Sequence, residues 1–174
     1  MYTLYNLFGL RENDWNISLN PYIPQSLGTI KLSLLVKGKS VKVQIRGKGN
    51  GIAFIKYDGA IMPTLVIPED IDDKNNIEIQ LGKTSTPIIY SANGILTETI
   101  FNTDKNILEF SLKSFVGHQT EIKIISPIKV KKIFINKELT TEQQEAKKDD
   151  LYELTIKHLT KLKNNKYLIE FESR

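Results

Sequence analysis

Few residues of this chain are equipped for chemistry, and they are scattered. His118 and His158 are the only imidazoles, 40 positions apart, and there is no cysteine in the 174 residues. Two separated histidines without cysteine make neither a zinc site nor a nucleophilic triad, so both are read as surface residues. Glu69, Asp70, Asp72 and Asp73 form the densest acidic cluster. Calcium loops do place oxygen ligands at alternate positions, but this run lacks their central glycine and distal glutamate. A polar turn is the expectation there, and no metal. Gly47, Gly49 and Gly51 superficially resemble a phosphate-cradling loop, yet such loops deliver phosphate to a helix N-terminus and a strand follows here. Gly82-Lys83-Thr84 copies the end of a nucleotide-binding loop, but Ile77 stands where its first glycine is needed. No catalytic residue is assigned and no cofactor is expected.

The remaining candidates are aromatic. Trp15, Tyr22, Tyr57 and Tyr90 could stack on sugar rings if their faces are exposed beside polar groups. In strands such rings more often fill a core, and sequence alone leaves both readings open.

Bulk properties narrow the class. Hydrophobic content of 40% and charge of 25% are globular values. A chain of this length removes roughly 70% of its unfolded surface from water, enough for a core without disulfides. No apolar run reaches the length of a membrane span and the N-terminus lacks the features of a leader. A cytoplasmic product with no membrane partner is therefore expected, and Asn16-Ile17-Ser18 is read as an accidental sequon. The net charge of +4 comes from 21 Lys and 3 Arg spread along the chain. Without arginine-rich, aromatic-interleaved patches, no nucleic-acid partner is expected.

The elements that must position these residues are mainly strands, and they come twice. Ile30–Leu34 is echoed by Leu108–Leu112, and Ile55–Gly59 by Ile133–Lys137, both 78 positions on. Val41–Ile45 is echoed by Thr120–Ile124, and Ile77–Leu81 by Tyr167–Phe171, where the offset has grown to 90. Alternation with one apolar face is the pattern of antiparallel sheets facing each other across a core. An all-β fold is expected: one antiparallel β-sandwich domain over 1–174, with repeat one at 29–82 and repeat two at 107–172. The Asn50-Gly51 and Asn93-Gly94 steps are hairpin signals. The segments around Asn93-Gly94 either start the second layer or bridge two sheets. The additional residues of the second copy, 139–150, have no apolar face and read as a solvated loop or short helix. A short helical stub is expected over 1–11, where Tyr2, Leu4, Tyr5, Leu7, Phe8 and Leu10 have approximate helical spacing and Gly9 suits a helix C-terminus.

Leu7-Phe8-Gly9-Leu10-Arg11, followed by Trp15-Asn16-Ile17-Ser18-Leu19-Asn20-Pro21-Tyr22-Ile23-Pro24, resembles the tail of glycoside hydrolases and phosphorylases with an (α/α)6 barrel, among them the glycogen-debranching, glucoamylase-like and disaccharide-phosphorylase groups. There a last barrel helix leads through a Pro-x-x-Pro strand into a C-terminal β-sandwich. Ser40–Ile45 and Ile52–Gly59 are similar to strands of that sandwich, and Tyr57-Asp58-Gly59 and Ile135-Asn136-Lys137 to its Val-Asn-Gly turn. Gln25-Ser26-Leu27 departs from the aromatic that often follows the Pro-x-x-Pro segment. The resemblance implies a non-catalytic accessory module of a carbohydrate-active enzyme whose partner is an (α/α)6 barrel domain or subunit, since the family's catalytic carboxylates lie in the barrel. Leu4, Tyr5, Leu7 and Phe8 would then pack on the partner, because an apolar stub left bare is an association-prone patch. The alternative is a free-standing module that binds an oligosaccharide through exposed aromatics.

Overall fold

The computed structural model describes residues 9–12, 16–21, 28–36, 38–49, 51–67 and 76–173. Every regular element among them is a strand: β1 (Leu10–Glu12), β2 (Ile17–Leu19), β3 (Ile30–Val36), β4 (Lys39–Gly47), β5 (Ile52–Tyr57), β6 (Ala60–Ile61), β7 (Asn76–Leu81), β8 (Ile88–Ala92), β9 (Ile95–Asn102), β10 (Ile107–Lys113), β11 (Gln119–Ser126), β12 (Val130–Ile135), β13 (Glu138–Thr140), β14 (Gln143–Lys148), β15 (Leu151–Leu159) and β16 (Asn164–Phe171). The all-β expectation holds, in several largely antiparallel sheets, an arrangement consistent with a β-sandwich.

The expected N-terminal helix is not supported. Residues 1–8, with Leu4, Tyr5, Leu7 and Phe8, lie outside the described residues, and Leu10 already begins β1, which pairs with β2. Gly9 has a φ of 58°, and its carbonyl accepts a hydrogen bond from the Asn20 N–H at 2.9 Å. A Cβ at this position would collide with the Asn20 backbone. The glycine thus serves a close approach between two chain segments, a role whose sequence signature is the same as that of a helix terminator.

A first sheet has the order β3-β4-β7-β5-β6, a second β13-β12-β16-β10-β9 and a third β14-β15-β11-β8, and β1 and β2 form a two-stranded ribbon. Residues 64–67 join the ribbon to the third sheet. Leu19 N–H donates to Leu65 O and Ile67 N–H to Ile17 O, while Leu65 N–H donates to Ile89 O and Ile89 N–H to Pro63 O, all at 2.8–2.9 Å. Alternation along this joint feeds two cores. Leu65 and Ile67 join Ile17, Leu19, Val43, Ile45, Ile55, Ile77, Ile79 and Ile88 in the first. Val66 and Ile89 point the other way, to Leu108, Phe110, Ile122, Ile124, Leu154, Ile156, Tyr167 and Ile169 in the second. Both faces of this joint are therefore dry, which is why residues 63–67 and 87–89 are buried without a break. Each large aliphatic side chain removed from water in this way contributes about 1.5–3 kcal/mol.

Part of the twofold echo is real to the residue. The β5-β6 hairpin pairs Tyr57 with Ala60, and the β12-β13 hairpin pairs Ile135 with Glu138. On the return strands Tyr57 faces Ile77 and Ile55 faces Ile79, matched by Ile135 facing Tyr167 and Ile133 facing Ile169. Even the irregularity recurs, between Ile52 and Phe54 in one copy and Val130 and Lys132 in the other. The remaining strands break the echo. β4 runs parallel to β7, whereas β10 runs antiparallel to β16. β3 and β4 form a hairpin, but β10 and β11 lie in different sheets.

Two local expectations change with the topology, and one left open is decided. β4 and β5, expected as a hairpin through Asn50-Gly51, are not neighbours, because β7 lies between them. Asn93-Gly94 bridges two sheets: β8 belongs to the third and β9 to the second, with Asn93 N–H donating to Glu121 O at 3.1 Å and Asn93 Nδ2 to Gln119 O at 2.9 Å. Residues 143–148, expected as loop or helix, form β14 on β15. It needs no apolar face because it is a sheet edge, where charged and amide side chains discourage further pairing.

Candidate functional site

An open groove of about 610 Å³ lies on the first sheet, lined by Lys31, Ser33, Lys42, Gln44, Asn76 and Glu78 together with the Asp58-Gly59 turn. Outward positions of the strands fall into register across the sheet, so that Lys31, Gln44, Glu78 and Lys56 make one row and Ser33, Lys42 and Asn76 the next. Rows of donors and acceptors roughly 4.8 Å apart can meet the hydroxyls of a polyol. Asp58 (φ 43°) and Gly59 (φ 87°) take the two left-handed positions of a primed turn. Asn76 N–H donates to Asp58 Oδ1 at 2.8 Å, and Asp58 N–H to Asn76 O at 2.9 Å.

The second copy builds the same clasp. Lys166 N–H donates to Asn136 Oδ1 at 2.9 Å, and Asn136 N–H to Lys166 O at 2.8 Å. What surrounds it is different. The cavity here, about 420 Å³, is lined by Glu109, Phe134, Lys137, Lys166, Leu168 and Glu170. Register places Ile100, Glu109, Leu168, Phe134 and Leu139 in one row across the second sheet. Phe134 and Leu168 stand where Lys56 and Glu78 stand in the first copy. Ile100 and Leu139 at the ends of this row are 64% and 62% exposed.

A third cavity, of about 310 Å³, opens beside His158 and is lined by Asn136, Glu138, Thr140, Glu142, Lys161 and Asn165 among others. Tyr167 stacks on Phe110 with centroids 4.6 Å apart and brings its hydroxyl to 3.2 Å from His158 Nε2. His158 Nδ1 is enclosed without a hydrogen-bond partner. Burial pushes the imidazole pKa below its ordinary value, against the pull of Glu142. Burial likewise pushes the Tyr167 hydroxyl upward. A neutral imidazole with no carboxylate to orient it is a weak beginning for catalysis. Among the described residues no group of three His, Asp or Glu side chains could hold a metal ion.

On the open face of the third sheet Glu121 bridges Lys157 at 2.8 Å and Lys123 at 3.0 Å. Hydrogen bonds from Lys157 and Lys123 lower the Glu121 pKa, and Glu121 in turn raises that of Lys123. Tyr90 stands beside this network with its pKa raised, first by burial and then by Glu153.

Of the four aromatic candidates, Trp15 and Tyr22 lie outside the described residues, as do Glu69, Asp70, Asp72 and Asp73. Tyr57 is in the first core, 9% exposed, with its ring given to packing. Tyr90 is half-buried against the same core. Sequence reasoning found the two turns but missed Asn76 and Lys166, which clasp them across the sheet, and it missed the apolar row. The signal for that row was Phe134 and Leu168 on the outward phase of strands whose inward phase was already apolar. No family model, curated protein or solved structure matches the chain.

Proposed function

We propose that this chain is a non-catalytic accessory module of a carbohydrate-active enzyme, a β-sandwich built on two related copies that packs against an (α/α)6-barrel body in the cytoplasm. The observation that carries the packing role is the row Ile100, Glu109, Leu168, Phe134 and Leu139, apolar at every place but Glu109. It is apolar at outward positions that the related copy fills with Lys56 and Glu78. Two hairpins with one backbone register thus differ in polarity at these two positions, and an apolar face in a small protein asks for cover. The tie to carbohydrate enzymes rests on the resemblance of the N-terminal segment and of the two clasped turns. The joint through 64–67 and β8, common to both cores, supports reading the chain as one folding unit. The test is titration into an (α/α)6-barrel enzyme stripped of its own β module, read by the melting temperature of the barrel. A rise that Phe134→Lys removes supports the reading; no rise, or a rise indifferent to the substitution, overturns it.

The polar groove of the first sheet favours a second reading, glycan recognition. Its rows of Lys, Gln, Glu and Asn side chains offer donors and acceptors in register, although no aromatic ring among the described residues lines it. Affinity electrophoresis through starch, glucan and xylan gels tests this. Retardation that Lys42→Ala and Glu78→Ala abolish supports it, and unchanged mobility in all three gels rejects it.

A further inference from the structure

Two loops at one end of the second half, residues 114–118 between β10 and β11 and 160–163 between β15 and β16, are zipped together. Ser114 N–H donates to Lys163 O at 3.0 Å, Gly117 N–H to Thr160 O at 2.8 Å and Thr160 N–H to His118 O at 2.9 Å. Beneath them a buried hydroxyl chain runs from Ser114 to Thr160 (3.1 Å) to Thr120 (2.6 Å), and Asn165 Nδ2 holds Leu162 O at 2.8 Å. A loop pair held this firmly has every means to fold its apolar side chains inward. It does the opposite: Phe115 is 69%, Val116 65% and Leu162 52% exposed.

The two loops themselves carry charge of one sign. Lys113, Lys161 and Lys163 are exposed beside the tip, and neither 110–120 nor 154–169 contains an aspartate or glutamate, while Glu138 and Glu142 line the same cavity as Lys161. Three lysines against those two glutamates leave this end a local excess of positive charge. An apolar tip with a cationic collar complements a surface that is anionic outside and hydrocarbon within. There the ring and methyl groups enter the acyl boundary while lysine stems lie along it and their ammonium groups reach the phosphates.

We propose that the paired loops are a peripheral membrane contact, inserting Phe115, Val116 and Leu162 into an anionic bilayer surface with the lysines as collar. This departs from the expectation of no membrane partner, which rested on the lack of spanning segments and of a leader, neither of which a peripheral contact requires. It uses a different surface from the apolar row of the second sheet, so the two proposals stand or fall separately.

The absence of cysteine allows one label at a chosen position. Val116→Cys carrying an environment-sensitive fluorophore should brighten and shift to the blue with phosphatidylcholine vesicles containing phosphatidylserine, and stay unchanged with phosphatidylcholine alone. The same label at Leu35→Cys, on a residue 75% exposed on β3, should not respond. In flotation of unlabelled protein, Lys161→Gln and Lys163→Gln should each weaken binding about fivefold. Phe115→Ser with Leu162→Ser should weaken it more than tenfold with the melting temperature unchanged, since both side chains are exposed. A silent label with anionic vesicles, an equal response to neutral ones, an equal response at position 35, or flotation undiminished by the Phe115 and Leu162 changes would each overturn the proposal.

Discussion

Asp58 and Asn76, from a turn and from the start of a neighbouring strand, exchange hydrogen bonds of 2.8 and 2.9 Å, and Asn136 and Lys166 repeat the exchange at 2.9 and 2.8 Å. The acceptor must be a short side chain that tolerates a left-handed backbone, and Asp and Asn share both properties. The donor in each clasp is a main-chain N–H, of Asn76 and of Lys166, and the Asn76 amide adds a longer bond of 3.4 Å to Asp58 Oδ1. Asp58→Ala and Asn136→Ala should each destabilise by about 1–2 kcal/mol through the lost bond and the strained φ. Asp58→Asn, which keeps the acceptor, should be close to neutral. Urea titration of the three variants measures this directly.

Lys137 holds a φ of 72° at the position Gly59 occupies in the other turn. A left-handed conformation costs an L residue about 1–2 kcal/mol that glycine avoids, partly offset by glycine's greater freedom when unfolded. Lys137→Gly should therefore raise stability by about 0.5–1 kcal/mol in the same titration.

The clasps also mark how far the sequence could be read. Alternation of apolar residues placed most strands, because a half-buried strand must alternate. The 78-residue echo located the matching hairpins, because Tyr57-Asp58-Gly59 and Ile135-Asn136-Lys137 carry turn chemistry in adjacent residues. Partners across a sheet leave no such mark: nothing local tells that β7 inserts between β4 and β5, or that β10 and β11 part company. Gly9 was ambiguous for a related reason, since a left-handed glycine ends helices and permits close backbone contacts alike. Tyr57 and Phe134 both occur in alternating strands, but Tyr57 shares the inward phase of Ile55 while Phe134 lies on the phase opposite to Ile133.

His158 titrates at a pH below its ordinary 6.5 in the folded protein because burial penalises the cation. Below pH 6.5 the unfolded chain takes up a proton that the folded one refuses, so stability is complete above that value and declines as pH falls toward the folded pKa. Glu121, with its pKa lowered from 4.5, contributes stability that is lost only at more acidic pH. Between pH 7.5 and 5.5 the melting temperature should fall, and His158→Phe should flatten that fall. A slope unchanged by the substitution would assign it to other groups.

Leu65 and Val66 are adjacent but face opposite cores. With the joint common to both, calorimetry should record one cooperative transition. Leu65→Ala in the first core and Ile169→Ala in the second should each cost about 2–5 kcal/mol. Both should lower the same midpoint, by roughly 5–15 °C. Two resolved transitions, each answering to one substitution, would mean that the cores fold independently.

The packing role is tested most directly by sedimentation velocity of the chain alone, compared with the Phe134→Lys, Leu168→Lys double variant over a wide concentration range. An apolar row that requires cover predicts a wild-type mass that climbs with concentration and a variant that remains a monomer. A wild-type chain that stays monomeric throughout, indistinguishable from the variant, would contradict it.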